Sequence, residues 1–341
     1  MQAFWFGVIA VLWAGFFVLE GFDFGVGILL PFLGGDERRR EAALRAIGPV
    51  WDGNEVWLLV AGGATFAAFP EWYASVFSGF YLAFALLLVG LILRGIGIEY
   101  RAKVETPQGR RWCDGAVVVG SFLPALLLGV AFANFLRGVQ QDGHHVMTGS
   151  FFSLLSPYAL LGGLTTLALF LLHGALFLWL RVEGPVGEVA RRCARQLVAP
   201  VFVLGGAFLA WTASIRGGWV SQALALIMVL LLVATIRALL AGRAGWAFTG
   251  SSLTALILPI WAFACLWPDV LPGRGGNSLT VHAASSSHYT LVVMTVVALI
   301  FTPIVLAYQA WTYWVFRARI GAPVEPHGDG TIDRLRAAAS R

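Results

Sequence analysis

Eight predominantly apolar stretches of about 20 residues or more run through this 341-residue chain, each long enough to cross a bilayer core as a helix. They lie near Phe4–Phe32, Tyr73–Tyr100, Asp114–Leu136, Leu154–Leu180, Leu197–Ile215, Trp219–Leu240, Trp246–Trp267 and Thr290–Phe316. A ninth, Ile47–Phe69, begins with a polar segment (Pro49, Trp51, Asp52, Asn54, Glu55) and ends apolar and rich in Gly and Ala, so hydropathy alone leaves it undecided. At 59% hydrophobic and 12% charged residues, the chain is far from the half-apolar, quarter-charged composition of soluble domains. The expected fold is an all-α integral membrane protein.

The positions of Lys and Arg decide the ninth stretch, because these residues accumulate in cytoplasmic loops. Basic clusters occur at Arg38, Arg39, Arg40 and Arg45; at Arg101, Lys103, Arg110 and Arg111; at Arg181, Arg191, Arg192 and Arg195; at Arg237 and Arg243; and in a tail with Arg317, Arg319, Arg334, Arg336 and Arg341. The other connections hold only Arg137, Arg216 and Arg274. For the first two clusters to share a side, Ile47–Phe69 must cross the membrane beside Tyr73–Tyr100. The expected topology is therefore nine helices with the N-terminus outside and the C-terminus cytoplasmic. Residues 1–316 form the transmembrane domain and 317–341 a short tail, and eight helices suffice for two four-helix bundles with one peripheral helix. No internal repeat supports that division. The basic residues are split among loops and form no continuous stripe, which argues against a nucleic-acid partner.

The longest outer connection, Pro268–His288, is rich in Gly and Ser and reads as loop or disorder. Cys113, Cys193 and Cys265 have no metal-ligand or haem-attachment spacing and are expected as free thiols. No Lys or Arg precedes the first apolar run, so it reads as an anchor and not as a cleaved leader.

Function must then lie among the helices, where an ionisable group costs at least ~2.5–3.5 kcal/mol and marks a functional site by default. Glu20 and Asp23, three residues apart, share one face of the first span, and Asp52 and Glu55 repeat the spacing in the second. Antiparallel passage brings all four into the cytoplasmic half, with Asp23, Asp52 and Glu55 within roughly 8–13 Å of their inner span ends at 1.5 Å per residue. Arg94, at similar depth in the third span, is a candidate counter-ion, and Glu99 lies nearby. Acids crowded in low dielectric cannot all ionise, so such a cluster can pass protons near pH 7. Asp23 and Asp52 are the principal relay candidates, with Glu20 and Glu55 as companions. The same residues read equally well as an interhelical lock, with Gly25, Gly27, Gly53, Gly62 and Gly63 admitting close approach.

Other polar groups point elsewhere. His173, alone in its span, is expected as a hydrogen-bonded packing residue, and His144, His145, His282 and His288 fall in outer loops. Trp5, Trp72, Trp219, Trp246, Trp267, Trp311 and Trp314 sit at span ends and read as interfacial belts. Pro124, Pro259 and Pro303 are candidate kinks.

The runs G-F-D-F-G-V-G-I-L-L-P-F-L (Gly21 to Leu33), I-G-P-V-W-D-G-N-E-V-W-L-L (Ile47 to Leu59) and A-G-G-A-T-F-A-A-F-P-E-W-Y-A-S-V-F-S-G-F-Y (Ala61 to Tyr81) resemble the signature of cytochrome bd-type quinol oxidase subunit II. The likeness continues through Arg94 to Arg101 and Gly120 to Asn134, then becomes a shared pattern of spans. The resemblance implies a bacterial inner-membrane heterodimer in which subunit I carries two b-type haems, one d-type haem and the quinol site. Subunit II, without haem, shares its helical layout. The complex oxidises quinol near the outer face and reduces oxygen to water with cytoplasmic protons, building a proton-motive force without pumping. By the same resemblance, Asp52 borders subunit I on a proton route, Asp23 lies beside it, and Trp51 and Asn54 position Asp52. Position 20 is Glu where the family has Asp. A quinone in an apolar groove of subunit II and small single-span accessory subunits also belong to the family picture, although no motif here fixes either.

Two rivals remain at this point. A proton-coupled secondary transporter also places acids in spans, but would need broken helices or a midplane pocket. A purely structural partner would stabilise subunit I and carry no protons.

Overall fold

The computed structural model describes residues 1–34 and 36–321. Arg334, Arg336 and Arg341 of the expected tail lie outside the described residues. Eleven α-helices follow one another: α1 (Gln2–Leu29), α2 (Glu37–Ile47), α3 (Trp51–Ala68), α4 (Pro70–Gly79), α5 (Tyr81–Arg101), α6 (Pro107–Arg137), α7 (Pro157–Arg181), α8 (Pro185–Ile215), α9 (Trp219–Leu240), α10 (Ala244–Leu266) and α11 (His288–Val315). Helix starts follow local chemistry. Thr106, Ser156 and Ser287 accept hydrogen bonds from Gly109, Ala159 and Thr290 N–H, and Pro107 and Pro157 occupy first positions that need no donor.

Among the described residues, eight helices are long and apolar enough to cross a membrane: α1 with its following turn to Leu33, and α5 to α11. The polar start of α3 keeps it below that standard, although its 18 residues extend about 27 Å. The expected single span Tyr73–Tyr100 is instead two helices, α4 and α5, interrupted at Phe80. Its neighbour Gly79 faces Met147 of the 138–156 connection, where a Cβ would lie 2.1 Å from the Met147 sulfur.

Helices α1, α6, α7 and α10 supply most of the apolar core, while Leu291 alone is fully buried on α11. Backbones close up at glycine. A Cβ on Gly25 would fall 1.9 Å from the Phe170 carbonyl oxygen, and one on Gly174 would fall 2.5 Å from Gly25 itself, so α1 and α7 touch main chain to main chain. Gly27 meets Ser121 and Val117 of α6. These two glycines thus serve α7 and α6, not the second and third spans. Gly62 and Gly63 have no neighbour within 4 Å of an added Cβ and border open space.

The basic clusters converge on one end of the bundle. Arg40 (α2) and Arg101 (α5) pair with Asp114 (α6) at 3.3 and 2.5 Å, and Arg110 pairs with Glu37 at 2.5 Å. Arg319 pairs with Glu183 at 3.4 Å, Arg181 donates to the Phe316 carbonyl, and Arg191 lies beside Gly242. At the opposite end, Pro268–His288 is largely the expected loop, but an ordered one that carries a small antiparallel pair of strands. Strand β1 (Asp269–Leu271) pairs antiparallel with β2 (Leu279–Thr280), because Val270, Leu271, Leu279 and Val281 are fully buried against the bundle. Trp219, Trp246, Trp267, Trp311 and Trp314 are exposed as an interfacial belt requires. Trp5 and Trp72 are not: both are buried, and Trp5 Nε1 donates to the Leu291 carbonyl (3.1 Å) and Thr295 Oγ1 (3.0 Å) of α11.

Candidate functional site

Two helices carry the clustered acids and a third their cation. On α1, Glu20 and Asp23 are both fully buried, three residues apart on the face that meets α3 and α5. Arg94 of α5, also fully buried, reaches back between them and α3: its Nη1 pairs with Glu20 Oε1 and its Nη2 lies 3.5 Å from Glu55 Oε2. The guanidinium stands 4.9 Å from the Phe24 ring and 5.8 Å from the half-buried Trp51 ring, so aromatic faces complete its shell. A glycine makes the approach possible, since a Cβ on Gly120 of α6 would meet the Arg94 backbone at 2.6 Å.

Asn54 of α3 links the second acid. Its Nδ2 donates to Asp23 Oδ2 (2.8 Å) and to the Leu19 carbonyl (3.1 Å). Its Oδ1 accepts from Gln309 Nε2 (3.0 Å) and the Tyr313 hydroxyl (2.9 Å) of α11. Asp23 Oδ1 and Glu20 Oε2 have no hydrogen-bond partner among the described residues. Glu20 and Glu55 thus share one guanidinium, and Asp23 joins the cluster through Asn54.

The remaining expected residues fall differently. Asp52, in the first turn of α3, is exposed on this chain's surface, as is Glu99; neither is tied to the cluster by a hydrogen bond or ion pair. Asn54 was expected to position Asp52, yet its amide belongs to Asp23. Gln309 and Tyr313 carried no motif. Their one signal is polarity inside an otherwise apolar helix, in A-Y-Q-A-W-T-Y (Ala307 to Tyr313). Asp114, read as the start of a span, is the hub of an Arg40–Arg101 pair at the basic end.

His173 has both ring nitrogens engaged, Nε2 with the Val18 carbonyl (3.1 Å) and Nδ1 with Ser251 Oγ (2.8 Å), and it stacks on Phe248 at 4.8 Å. A ring so committed ties α1, α7 and α10 together and has no nitrogen left for a metal. Among the described residues, no group of three or more His, Cys, Asp or Glu side chains is placed to hold a metal ion. A separate apolar cavity of about 340 Å³ lies between α3, α4, α5 and α6, lined by Gly62, Gly63, Phe66, Tyr73, Phe77 and Phe132 among others.

Buried acids on α1, a half-buried one on α3, the arginine that pairs with both helices and a layout of apolar helices all point the same way as the similarities to known proteins. Residues 1–316 match the family described as cytochrome bd terminal oxidase subunit II. The chain belongs to that family. It is 39% identical to cytochrome bd ubiquinol oxidase subunit 2 of Bacillus subtilis (strain 168), over 93% of this chain and 96% of the relative. It is 37% identical to cytochrome bd-I ubiquinol oxidase subunit 2 of Escherichia coli (strain K12), over 93% of this chain and 94% of that one. Its fold matches a chain of the bd oxidase structure from Geobacillus thermodenitrificans with a TM-score of 0.71, covering 92% of this chain and 98% of that chain at 16% identity. Membership of this family makes the chain a transmembrane subunit of a quinol oxidase, an oxidoreductase complex.

Proposed function

We propose that this chain is the haem-free subunit II of a two-subunit quinol:oxygen oxidoreductase in the bacterial inner membrane, stabilising subunit I and carrying cytoplasmic protons toward its oxygen-reducing site. The observation that carries the proton path is the cluster in which half-buried Glu55 and buried Glu20 share Arg94 while buried Asp23, three residues from Glu20, joins through Asn54, all among apolar helices. One guanidinium balances one negative charge, and the remainder of the cluster is balanced most cheaply by protons, the property a relay needs. The haems of subunit I, two b-type and one d-type, would supply the redox chemistry.

In this reading nine helices cross the membrane, with α3 as the second crossing, the basic end cytoplasmic and the N-terminus outside. The convergence of the basic clusters on one end supports it. Asp52, exposed on this chain at the start of α3, is the acid that subunit I would cover, and Asp23 is the next acid inward. Trp51 closes one side of the cluster against Arg94, and Glu99 lies on the exposed surface of α5 outside the path. The aromatic cavity beside Phe66 and Phe77 suits the apolar tail of a quinone, a structural guest with no part in the proton path. Small single-span accessory subunits would have the exposed apolar surfaces of the outer helices to pack on.

The test is oxygen uptake by the purified complex with saturating quinol. Asp52→Asn, and less strongly Asp23→Asn, should leave assembly and the haem absorption spectrum intact while slowing turnover, by roughly 10-fold or more for Asp52. Full turnover in both variants would defeat the proton path, and loss of the complex would assign the acids to packing.

A further inference from the structure

The last helix is held to the bundle in an unexpected place. Helix α11 exposes nearly all of its apolar surface, and only Leu291 on it is fully buried. At the far end it is fastened through Trp5 to Leu291 and Thr295. Near the basic end it is fastened by Gln309 and Tyr313, and both donate to the same atom, Asn54 Oδ1. The approach is close, with Gln309 Oε1 lying 3.7 Å from where a Cβ on Gly53 would stand. The Tyr313 ring packs at the edge of the apolar cluster that contains Val26, Leu30 and Ile47.

Four partners use the full hydrogen-bonding capacity of the Asn54 amide, two acceptors at its NH₂ and two donors at its oxygen. The Leu19 carbonyl can only accept, so it requires the NH₂ on the α1 side. The same orientation presents the second N–H to Asp23 Oδ2. Two donors at the amide oxygen polarise the amide and strengthen the N–H bond that it gives to the Asp23 carboxylate; without them the buried oxygen is left without partners and that bond weakens. The donors on α11 therefore bias which form of Asp23 its neighbour favours, from one residue away.

We infer that Gln309 and Tyr313 are positioning residues for proton transfer, acting through the Asn54 amide on Asp23, so that α11 is part of the relay and not only a peripheral membrane helix. This rests on the proton path proposed above. The ionisable groups that bear on Asp23 are Glu20 from its own helix, Glu55 from α3, Arg94 from α5 and the Tyr313 hydroxyl from α11. His173 of α7 is committed to Val18 and Ser251.

The experiment uses the complete complex with Tyr313→Phe, Gln309→Leu, Asn54→Ala, the pairs of each with Asn54→Ala, and Asp23→Asn as reference. Oxygen uptake is followed across pH and normalised to haem. Tyr313→Phe removes one oxygen and keeps the ring, so it decides the matter even if Gln309→Leu does not assemble. Expected for each α11 variant are an unchanged haem spectrum, a roughly fivefold loss of turnover, as for one hydrogen bond, and a pH profile displaced from wild type. Neither should lower turnover further in the Asn54→Ala background. Wild-type turnover and pH profile in Tyr313→Phe, with Asp23→Asn impaired, overturn this inference and leave the proton path standing. Fully additive losses with Asn54→Ala overturn it also, because they assign Gln309 and Tyr313 to packing. Unimpaired Asp23→Asn removes the proton path and this inference with it.

Discussion

The two halves of α3 face opposite problems. Its first turns bring Asn54 and Glu55 into a polar knot with Asp23, Arg94, Gln309 and Tyr313, in which nearly every group touches another. Its last turns bring Gly62, Gly63 and Phe66 to an apolar cavity of about 340 Å³, where side chains leave space between them. The same helix is thus tight where it is polar and loose where it is apolar. Lipid and apolar side chains differ little as surroundings, so a gap near Phe66 loses only dispersion contacts. A gap near Arg94 would strand a charge, and stranded charge is the costlier error. Compactness inside this bundle follows electrostatic need more than hydropathy.

The largest effect should come from removing the one cation of the knot. Arg94→Leu leaves Glu20, Asp23 and Glu55 facing one another without a counter-charge, a loss of about 3–5 kcal/mol for breaking a buried pair. The expected outcome is failure to recover haem-containing complex from membranes. Arg94→Lys should give an intermediate yield, because a single ammonium cannot bridge Glu20 and Glu55 as the planar fork does. Normal yield from Arg94→Leu would mean that charge does not organise the polar half.

A smaller effect separates tight glycines from loose ones. Gly174→Ala places a methyl 2.5 Å from the Gly25 backbone, and neither helix can yield without moving main chain. A cost of about 1–3 kcal/mol is expected, seen as a lower thermal midpoint of the complex. Gly63→Ala adds its methyl to space with no atom within 4 Å and should shift the midpoint little or not at all. Equal effects at the two positions would erase the contrast between the close α1–α7 contact and the loose end of α3.

Much of this was legible in the chain. Apolar length located most of the helices, spacing put Glu20 with Asp23 on one face, and depth offered Arg94 as a counter-ion, which pairs with Glu20 and Glu55, because those signals are local and periodic. Three things were not legible. The break at Phe80 lies beside a contact between Gly79 and Met147, a residue 67 positions beyond Phe80. The burial of Trp5 and the folding of Pro268–His288 likewise need partners that only the tertiary structure brings. The family resemblance ties Asn54 to its neighbour Asp52, whereas helical geometry turns the amide toward Asp23 and α11, away from the exposed side of the first turn. Gln309 and Tyr313 were invisible for the same reason: two polar residues on an apolar helix do not announce which atom they bond.

The smallest effect belongs to a charge kept outside the bundle. In the 138–156 connection, Asp142 Oδ1 accepts from the backbone N–H groups of Val146 (2.9 Å) and His144 (2.8 Å). These two donors hold its carboxyl below the usual carboxylate range. A carboxyl depressed in the folded state contributes stability that is present above its unfolded value of ~3.9 and is lost as pH falls through the lower native one. The group is partly exposed at the surface, so water competes for its bonds and the contribution stays local to the turn. Asp142→Ala should therefore speed hydrogen exchange at the His144 and Val146 amides at neutral pH, to the rate that wild type reaches only once acid has protonated the carboxyl, after correction for intrinsic exchange. Yield and turnover of the complex should not change. A collapse in yield comparable to that of Arg94→Leu would show that an exposed charge can matter as much as the buried ones, and the contrast between the inside and the outside of this bundle would fail.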